Sequence, residues 1–242
     1  MKVLSYNILN GGEWRLRKLA AVLRRQDADV IALLEANRHW KVALLAQMLG
    51  MQLVFGRANS SFHVAWLSRL PVVRSTNHRL PGLAKTMLEI EVRWREMPVR
   101  LFATHLAGGA DAVHPAEEMP LLLDVLRPLS DQPHLLAGDL NSLHPDDPVG
   151  PPPPGWTLMS DSIDDDPRRA VGALLAAGYT DSFRALHPAT PGYTYPTEHP
   201  WLRLDYIFSS QCLTPRLQSS GIVDDDVAHA ASDHLPVWAT FR

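Results

Sequence analysis

At 242 residues, 46% hydrophobic and 20% charged, the chain can fill the core of one large domain or two small ones. A formal net charge of −3 excludes a surface built for general adhesion to nucleic acid, though not a local basic groove. The single cysteine, Cys212, excludes an internal disulfide, no run approaches the roughly 20 apolar residues of a membrane span, and the apolar run in MKVLSYNILNGG is too short for a secretory leader; a cytoplasmic monomer is expected.

Residues 3–9 read as a first strand, and Asn10-Gly11-Gly12 as the turn that ends it. Leu16, Leu19, Ala20 and Leu23 fall at i, i+3, i+4 and i+7, which predicts an amphipathic helix over 13–25. DADVIALLE predicts a turn and a fully buried strand ending at Glu35; a helix over 40–49 follows, with Gly50 placed to stop it. From 52 to 105 the runs QLVF, HVAWLS, VVRSTNHRL, TMLEIEVRW and VRLFATH succeed one another without a helical pattern, so antiparallel pairing is expected. Helices are predicted over 116–126 and 168–177, and strands in HLLAGDLN, DYIF and LPVWATF. The least regular stretch, 144–167, holds four consecutive prolines and the aspartates Asp164 to Asp166, and reads as an extended surface loop. The whole is an α/β chain with mixed or antiparallel sheets, read as one domain over 1–242.

Five apolar runs end in, or contain, a residue suited to metal or phosphate chemistry. They are VLSYN with Asn7, VIALLE with Glu35, LFATH with His105, LLAGDLN with Asp139 and Asn141, and LRLDYIF with Asp205. Ser232-Asp233-His234 precedes the final strand. Singly, Asn7 reads as well as a strand-ending turn, Glu35 as a helix cap and Asp139 as an Asx-turn. Together they are hard oxygen ligands for Mg²⁺ or Mn²⁺, with donors that can hold a phosphate, provided the strand ends meet at one side of a sheet. Asp205 is the sharpest case. A carboxylate inside a buried strand is costly unless something pairs with it.

The ordered set of Asn, Glu, His, Asp-x-Asn, Asp and Ser-Asp-His resembles the endonuclease/exonuclease/phosphatase superfamily. That group includes abasic-site endonucleases, pancreatic-type deoxyribonucleases, neutral sphingomyelinases, inositol polyphosphate phosphatases and deadenylases. GDLN, RLDYIF and SDHLPV carry most of the resemblance, and LSRLPV adds to it. It implies a four-layered α/β sandwich, with two mixed, mostly antiparallel sheets packed face to face, helices outside, and a site at one edge between the sheets. The implied activity is metal-assisted, in-line hydrolysis of a phosphoester with one or two Mg²⁺ or Mn²⁺ ions. A nuclease acting on DNA is the first expectation. A phosphodiesterase or phosphatase for a small nucleotide, inositol phosphate or phospholipid headgroup is the alternative, and a non-catalytic scaffold a remote one. No obligate protein partner is implied.

Carried over by motif, the resemblance makes Glu35 the principal metal ligand, with Asn7 and Asp233 at the metal or the scissile phosphate. Asp139 would orient and deprotonate the attacking water, and Asn141 would hold the phosphate or the aspartate. Asp205 would accept a hydrogen bond from His234, so that a protonated imidazole faces the phosphate. His105 would stabilise or protonate the leaving oxygen. Two departures lead away from the abasic-site branch: Leu9 stands where that branch has an aspartate, and His105 where it uses a tyrosine. Its tryptophan before RLDY is Leu202 here; Trp201, one residue earlier, and Tyr195 are expected to form an aromatic wall for a sugar or base, or else to pack. His114 and His144, in loops just after His105 and Asn141, are further candidates to reach substrate.

Overall fold

The structure is a computed structural model that describes residues 1–108, 111, 113–156 and 166–242; Asp164 and Asp165 of the acidic run lie outside the described residues. Its first sheet contains β1 (Lys2–Asn7), β2 (Val30–Leu34), β3 (Gln52–Gly56), β4 (Val64–Ser68), β11 (Leu217–Ile222) and β12 (Val237–Phe241), in the order β11-β12-β1-β2-β4-β3. The second contains β5 (Val72–His78), β6 (Met87–Trp94), β7 (Met97–His105), β8 (His134–Asp139), β9 (Thr180–Asp181) and β10 (Asp205–Ser209), in the order β5-β6-β7-β8-β10-β9. β1 pairs with β2 in parallel, as does β7 with β8, while the remaining pairs run antiparallel. Each parallel pair needs a crossover, which α1 (Leu16–Gln26) and α3 (Pro115–Leu126) supply.

Successive side chains of a strand point to opposite faces, and this alternation builds the layers. Val3, Ala32, Leu34 and Trp66 of the first sheet meet Leu88, Ile90, Leu101 and Ala137 of the second in a shared inner core. The intervening residues Leu4, Tyr6, Ile31 and Leu33 pack outward on α1, α2 (His39–Leu49) and α6 (Asp226–His229). On the far side Phe102, Leu136, Tyr206 and Phe208 pack on α3 and α4 (Arg169–Ala176). The result is helix, sheet, sheet, helix. Strands such as β2 and β8 are covered on both faces, which is why they read as unbroken apolar runs. Trp66 stands at the centre, and its indole N–H crosses from one sheet to the other to donate to the Leu88 carbonyl at 3.0 Å.

Among the boundaries that differ from the sequence expectation, two lie beside the Asn10-Gly11-Gly12 turn. β1 stops at Asn7, because the Asn7 side-chain oxygen accepts the Leu9 N–H at 3.1 Å and Leu9 turns to φ 48°. α1 starts three residues later than predicted, since Glu13 sits at φ 35° beyond the glycine turn. Gly50 caps α2 in the left-handed conformation as expected. Among the described residues no helix is long and apolar enough to cross a membrane.

Candidate functional site

Register brings the candidate residues to one edge. In the first sheet Asn7 pairs with Leu34, so Glu35 lies beside Asn7 at the C-terminal ends of β1 and β2. In the second, His105 pairs with Asp139 across β7 and β8, and Asp139 pairs with Asp205 where β10 begins. β12 runs antiparallel to β1, which places Ser232, Asp233 and His234 at the same end. The two sheets meet there through one side chain: Asn7 Nδ2 donates to Asp139 Oδ2 at 3.0 Å and to Glu35 Oε1 at 3.2 Å. Ser232 Oγ donates to the Asn7 carbonyl at 2.7 Å and ties the last loop to the first strand.

Each acid and imidazole has a definite environment. Asp139 is buried; its Oδ1 accepts the Asn141 N–H at 3.0 Å, and its Oδ2 lies 3.5 Å from His105 Nε2 and 3.7 Å from His234 Nε2. Burial pushes the Asp139 carboxyl up to about 6, with the His234 charge pulling the other way. His234 Nδ1 lies 2.8 Å from Asp205 Oδ2. Burial works against a charge on His234, but Asp205 and Asp139 outweigh it and carry its pKa up to about 10. His105 takes the opposite course: burial first, then the charges of Lys85 and His234, hold it well below the ordinary histidine value, so it is neutral at pH 7. A neutral imidazole can hydrogen-bond a leaving oxygen but holds no second proton to give it. Two residues store backbone strain at this edge, Glu35 at φ 56° and Asn141 at φ 45°; left-handed non-glycine residues are a recurrent mark of functional sites.

The donor set fits a hard divalent cation. Glu35 is held by amides alone, Asn7 Nδ2 and the Asn10 N–H at 2.8 Å, and no basic side chain among the described residues pairs with it. The Tyr195 hydroxyl is pushed up by burial and then by Asp233, Asp139 and Glu35, so these three carboxylates share one electrostatic neighbourhood. Such a cluster of oxygens is what Mg²⁺ or Mn²⁺ binds. Asn7 turns its oxygen to Leu9 and its nitrogen to the carboxylates, which makes it a clamp on Glu35 and Asp139. Asp139, Asp205 and His234 also offer ligand atoms within 4.8 Å of one another. With His234 Nδ1 on Asp205 Oδ2 at 2.8 Å and His234 Nε2 towards Asp139, we read that trio as a hydrogen-bonded relay.

Of the substrate-contact candidates, only Tyr195 lies at the site, its ring 4.6 Å from that of His234. Trp201 is 2% exposed and packs with Leu143, Leu202 and Leu204, so it is core and forms no wall. His114 caps α3, its Nδ1 accepting the Ala116 N–H at 3.1 Å. His144 is buried and accepts the Asp146 N–H at 3.1 Å; both histidines hold backbone. The aromatic partner of Tyr195 is instead Trp156, 45% exposed at a centroid distance of 6.0 Å. Nothing in its proline-rich surroundings marks it in the sequence. Lys85, buried between the Leu106 carbonyl (2.7 Å) and Asp111 (2.8 Å), is another residue that periodicity does not single out. Arg203, in the same run as Asp205, is buried against Asp147 (2.6 Å) and Asp181 (2.7 Å) and braces the start of β10.

Over 125 residues, 48% of this chain, the sequence is 32% identical to the DNA repair nuclease APEX1 of Danio rerio; the match spans 36% of that protein, about a third of its length. Among solved structures, the chain is similar to a 3'-5' exonuclease from Neisseria meningitidis, with TM-score 0.80 and 24% identity over 100% of this chain and 99% of that one. A 3' phosphatase from Neisseria bound to a product DNA hairpin gives TM-score 0.79 and 23% identity over the same shares. An AP endonuclease from Archaeoglobus fulgidus gives TM-score 0.75 and 19% identity, again over 100% and 99%. At these identities the structural likeness speaks for the fold, a four-layered sandwich. The model of the Endonuclease/Exonuclease/phosphatase family matches residues 4–234, nearly the whole chain, and the chain belongs to that family.

Proposed function

We propose that the chain is a Mg²⁺- or Mn²⁺-dependent phosphodiesterase that hydrolyses DNA strands, acting as a monomeric, single-domain enzyme in the cytoplasm. The observation that carries the reading is Asp139 set between two imidazoles of opposite character, with His234 held by Asp205 at 2.8 Å. All three activities named in the family description hydrolyse phosphoesters, and one matched relative is a DNA repair nuclease. The exposed, unpaired Cys212 fits a reducing compartment.

In this reading Glu35 and Asp233 hold the cation, and Asn7 keeps Glu35 and Asp139 at fixed separation. A bound Mg²⁺ or Mn²⁺ supplies Lewis-acid polarisation of a phosphoryl oxygen. Asp139, with a pKa raised by burial yet still ionised at pH 7, takes the proton of the attacking water as its oxygen bonds to phosphorus. The Asn141 N–H fixes the Asp139 carboxylate for that transfer. Protonated His234 faces the negative charge that gathers on the phosphoryl oxygens while the bond to the leaving oxygen breaks. His105, neutral, donates a hydrogen bond to the leaving oxygen, which takes its proton from solvent water as it departs.

The test is turnover of bis-p-nitrophenyl phosphate and of a DNA panel with and without metal. Chelation abolishes hydrolysis, and Mg²⁺ or Mn²⁺ restores it. Glu35→Gln lowers it about a hundredfold or more, and Asp139→Asn by about 10²–10⁴-fold. Activity unaffected by chelator and by Glu35→Gln would sink the metal assignment. Turnover of small phosphomonoesters without any cleavage of DNA would replace the nuclease reading by a phosphatase.

A further inference from the structure

Beside the site runs a concave surface that the reaction just described does not use. A cleft is lined by Asn37, His39, Phe55, Arg57, His63 and Arg79. Phe55 stands edge-on between two of its imidazoles, 4.9 Å from the His39 ring and 5.4 Å from that of His63. Among the described residues no carboxylate pairs with Arg57, and Arg79 meets only the neutral Asn59 amide oxygen at 3.2 Å. The backbone under the cleft is fixed: Asn77 Nδ2 donates to the Arg57 carbonyl at 2.9 Å, and the Ala58 N–H to His63 Nδ1 at 3.1 Å.

The cleft shares a wall with the reaction centre. Asn37 is two residues from Glu35, and the Ala36 N–H between them donates to the His63 carbonyl at 2.7 Å. With its amide oriented to satisfy both groups, Asn37 donates to the Glu35 and Ser61 carbonyls at 3.1 and 3.0 Å. From the same loop Phe62 reaches the His105 ring at 6.2 Å. Arg57 on this braced loop and Arg79, which follows β5 and reaches the loop through Asn59, put two guanidinium groups without acids in one cleft, a site suited to an anion. Guanidinium forks match phosphate oxygens, and the exposed His39 beside half-buried Phe55 and His63 suits a flat neighbouring group.

We propose that this cleft is a second anion subsite, which holds a phosphate of the DNA strand adjacent to the one hydrolysed. The inference rests on the function proposed above and adds how a chain of net charge −3 grips a polyanion: through two local arginines and not a basic surface.

The experiment uses the full chain with Mg²⁺ or Mn²⁺ and two substrates, a short DNA oligonucleotide and bis-p-nitrophenyl phosphate, whose one phosphorus cannot occupy both positions. For Arg57→Gln and Arg79→Gln, KM for the oligonucleotide rises about tenfold each, as expected for a lost charge-assisted hydrogen bond. The slope of log(kcat/KM) against log[salt] becomes shallower by about one unit per variant. Turnover of bis-p-nitrophenyl phosphate stays within about twofold, and Arg57→Lys recovers most of the oligonucleotide KM. A neutral methylphosphonate linkage, moved one position at a time, costs the wild type the same factor at one position, where Arg57→Gln loses nothing further. Unchanged KM and salt slope, with bis-p-nitrophenyl phosphate still cleaved, overturn the subsite and leave the proposed function standing. An equal loss on both substrates also overturns it, because the arginines would then act on the reaction centre or the fold. Failure of the wild type to cleave either substrate overturns the function itself.

Discussion

At the scale of single residues the pair Asp205–His234 has the clearest consequence. Its folded-state histidine pKa, about 10, stands above the value near 6.5 of an unfolded chain. The pair therefore contributes stability that is whole below about pH 6.5 and is lost as the pH climbs towards about 10. Asp205→Asn removes the nearer charge, so melting temperatures recorded in metal-free buffer from pH 6.5 to 10 fall less steeply than in wild type. The alkaline limb of the activity profile moves to lower pH in the same variant. Equal slopes for the two proteins would mean that His234 is neutral. This pair was legible in the sequence, because a carboxylate inside an apolar strand demands a partner and the ordered motifs name one. Trp201 was not. What buries it is a cluster with Leu143 and Leu204 and the close approach of Gly150, none of which the residues flanking it reveal.

At the scale of elements, Gly138 governs how β7 and β8 lie together. It sits at φ 155°, and a Cβ added there would stand 1.9 Å from the Thr104 carbonyl oxygen, its register partner. Gly138→Ala must push the two strands apart beside Asp139, at a cost of about 3 kcal/mol or more. Urea unfolding measures that loss; a shift below about 1 kcal/mol would show that the strands yield easily. The long elements were legible because their apolar periods survive burial: α2, α3 and α4 begin and end within a residue of their predicted bounds. β9 has two residues, α6 four and α5 (Ser182–Leu186) five, too few for a period to show. β11, Leu217–Ile222, is interrupted by two serines and a glycine and its register with β12 shifts between Leu217 and Ser219, so its alternation is masked.

For the molecule as a whole, the spacing between the sheets determines whether the site exists. Trp66 fills that space with no exposure and crosses it with the hydrogen bond to Leu88. Trp66→Ala should cost about 3–5 kcal/mol by cavity formation, measured by urea or thermal unfolding. It should also lower turnover more than substrate binding, because Asn7 and Asp139 belong to different sheets. Layering of this kind lies beyond what composition and periodicity show. They mark which residues are buried but not which faces meet, and only the motif resemblance pointed to a sandwich. The position of β12 has a consequence for biosynthesis. This strand lies between β11 and β1, so the sheet that carries Asn7 and Glu35 is completed by residues that follow Asp139, Asp205 and His234 in the chain. A ribosome that has made Asp139 and Asp205 has made neither the imidazole that completes the relay nor the strand that seats it. A chain broken between Asp205 and His234 therefore lacks both the imidazole of the relay and the strand that seats it.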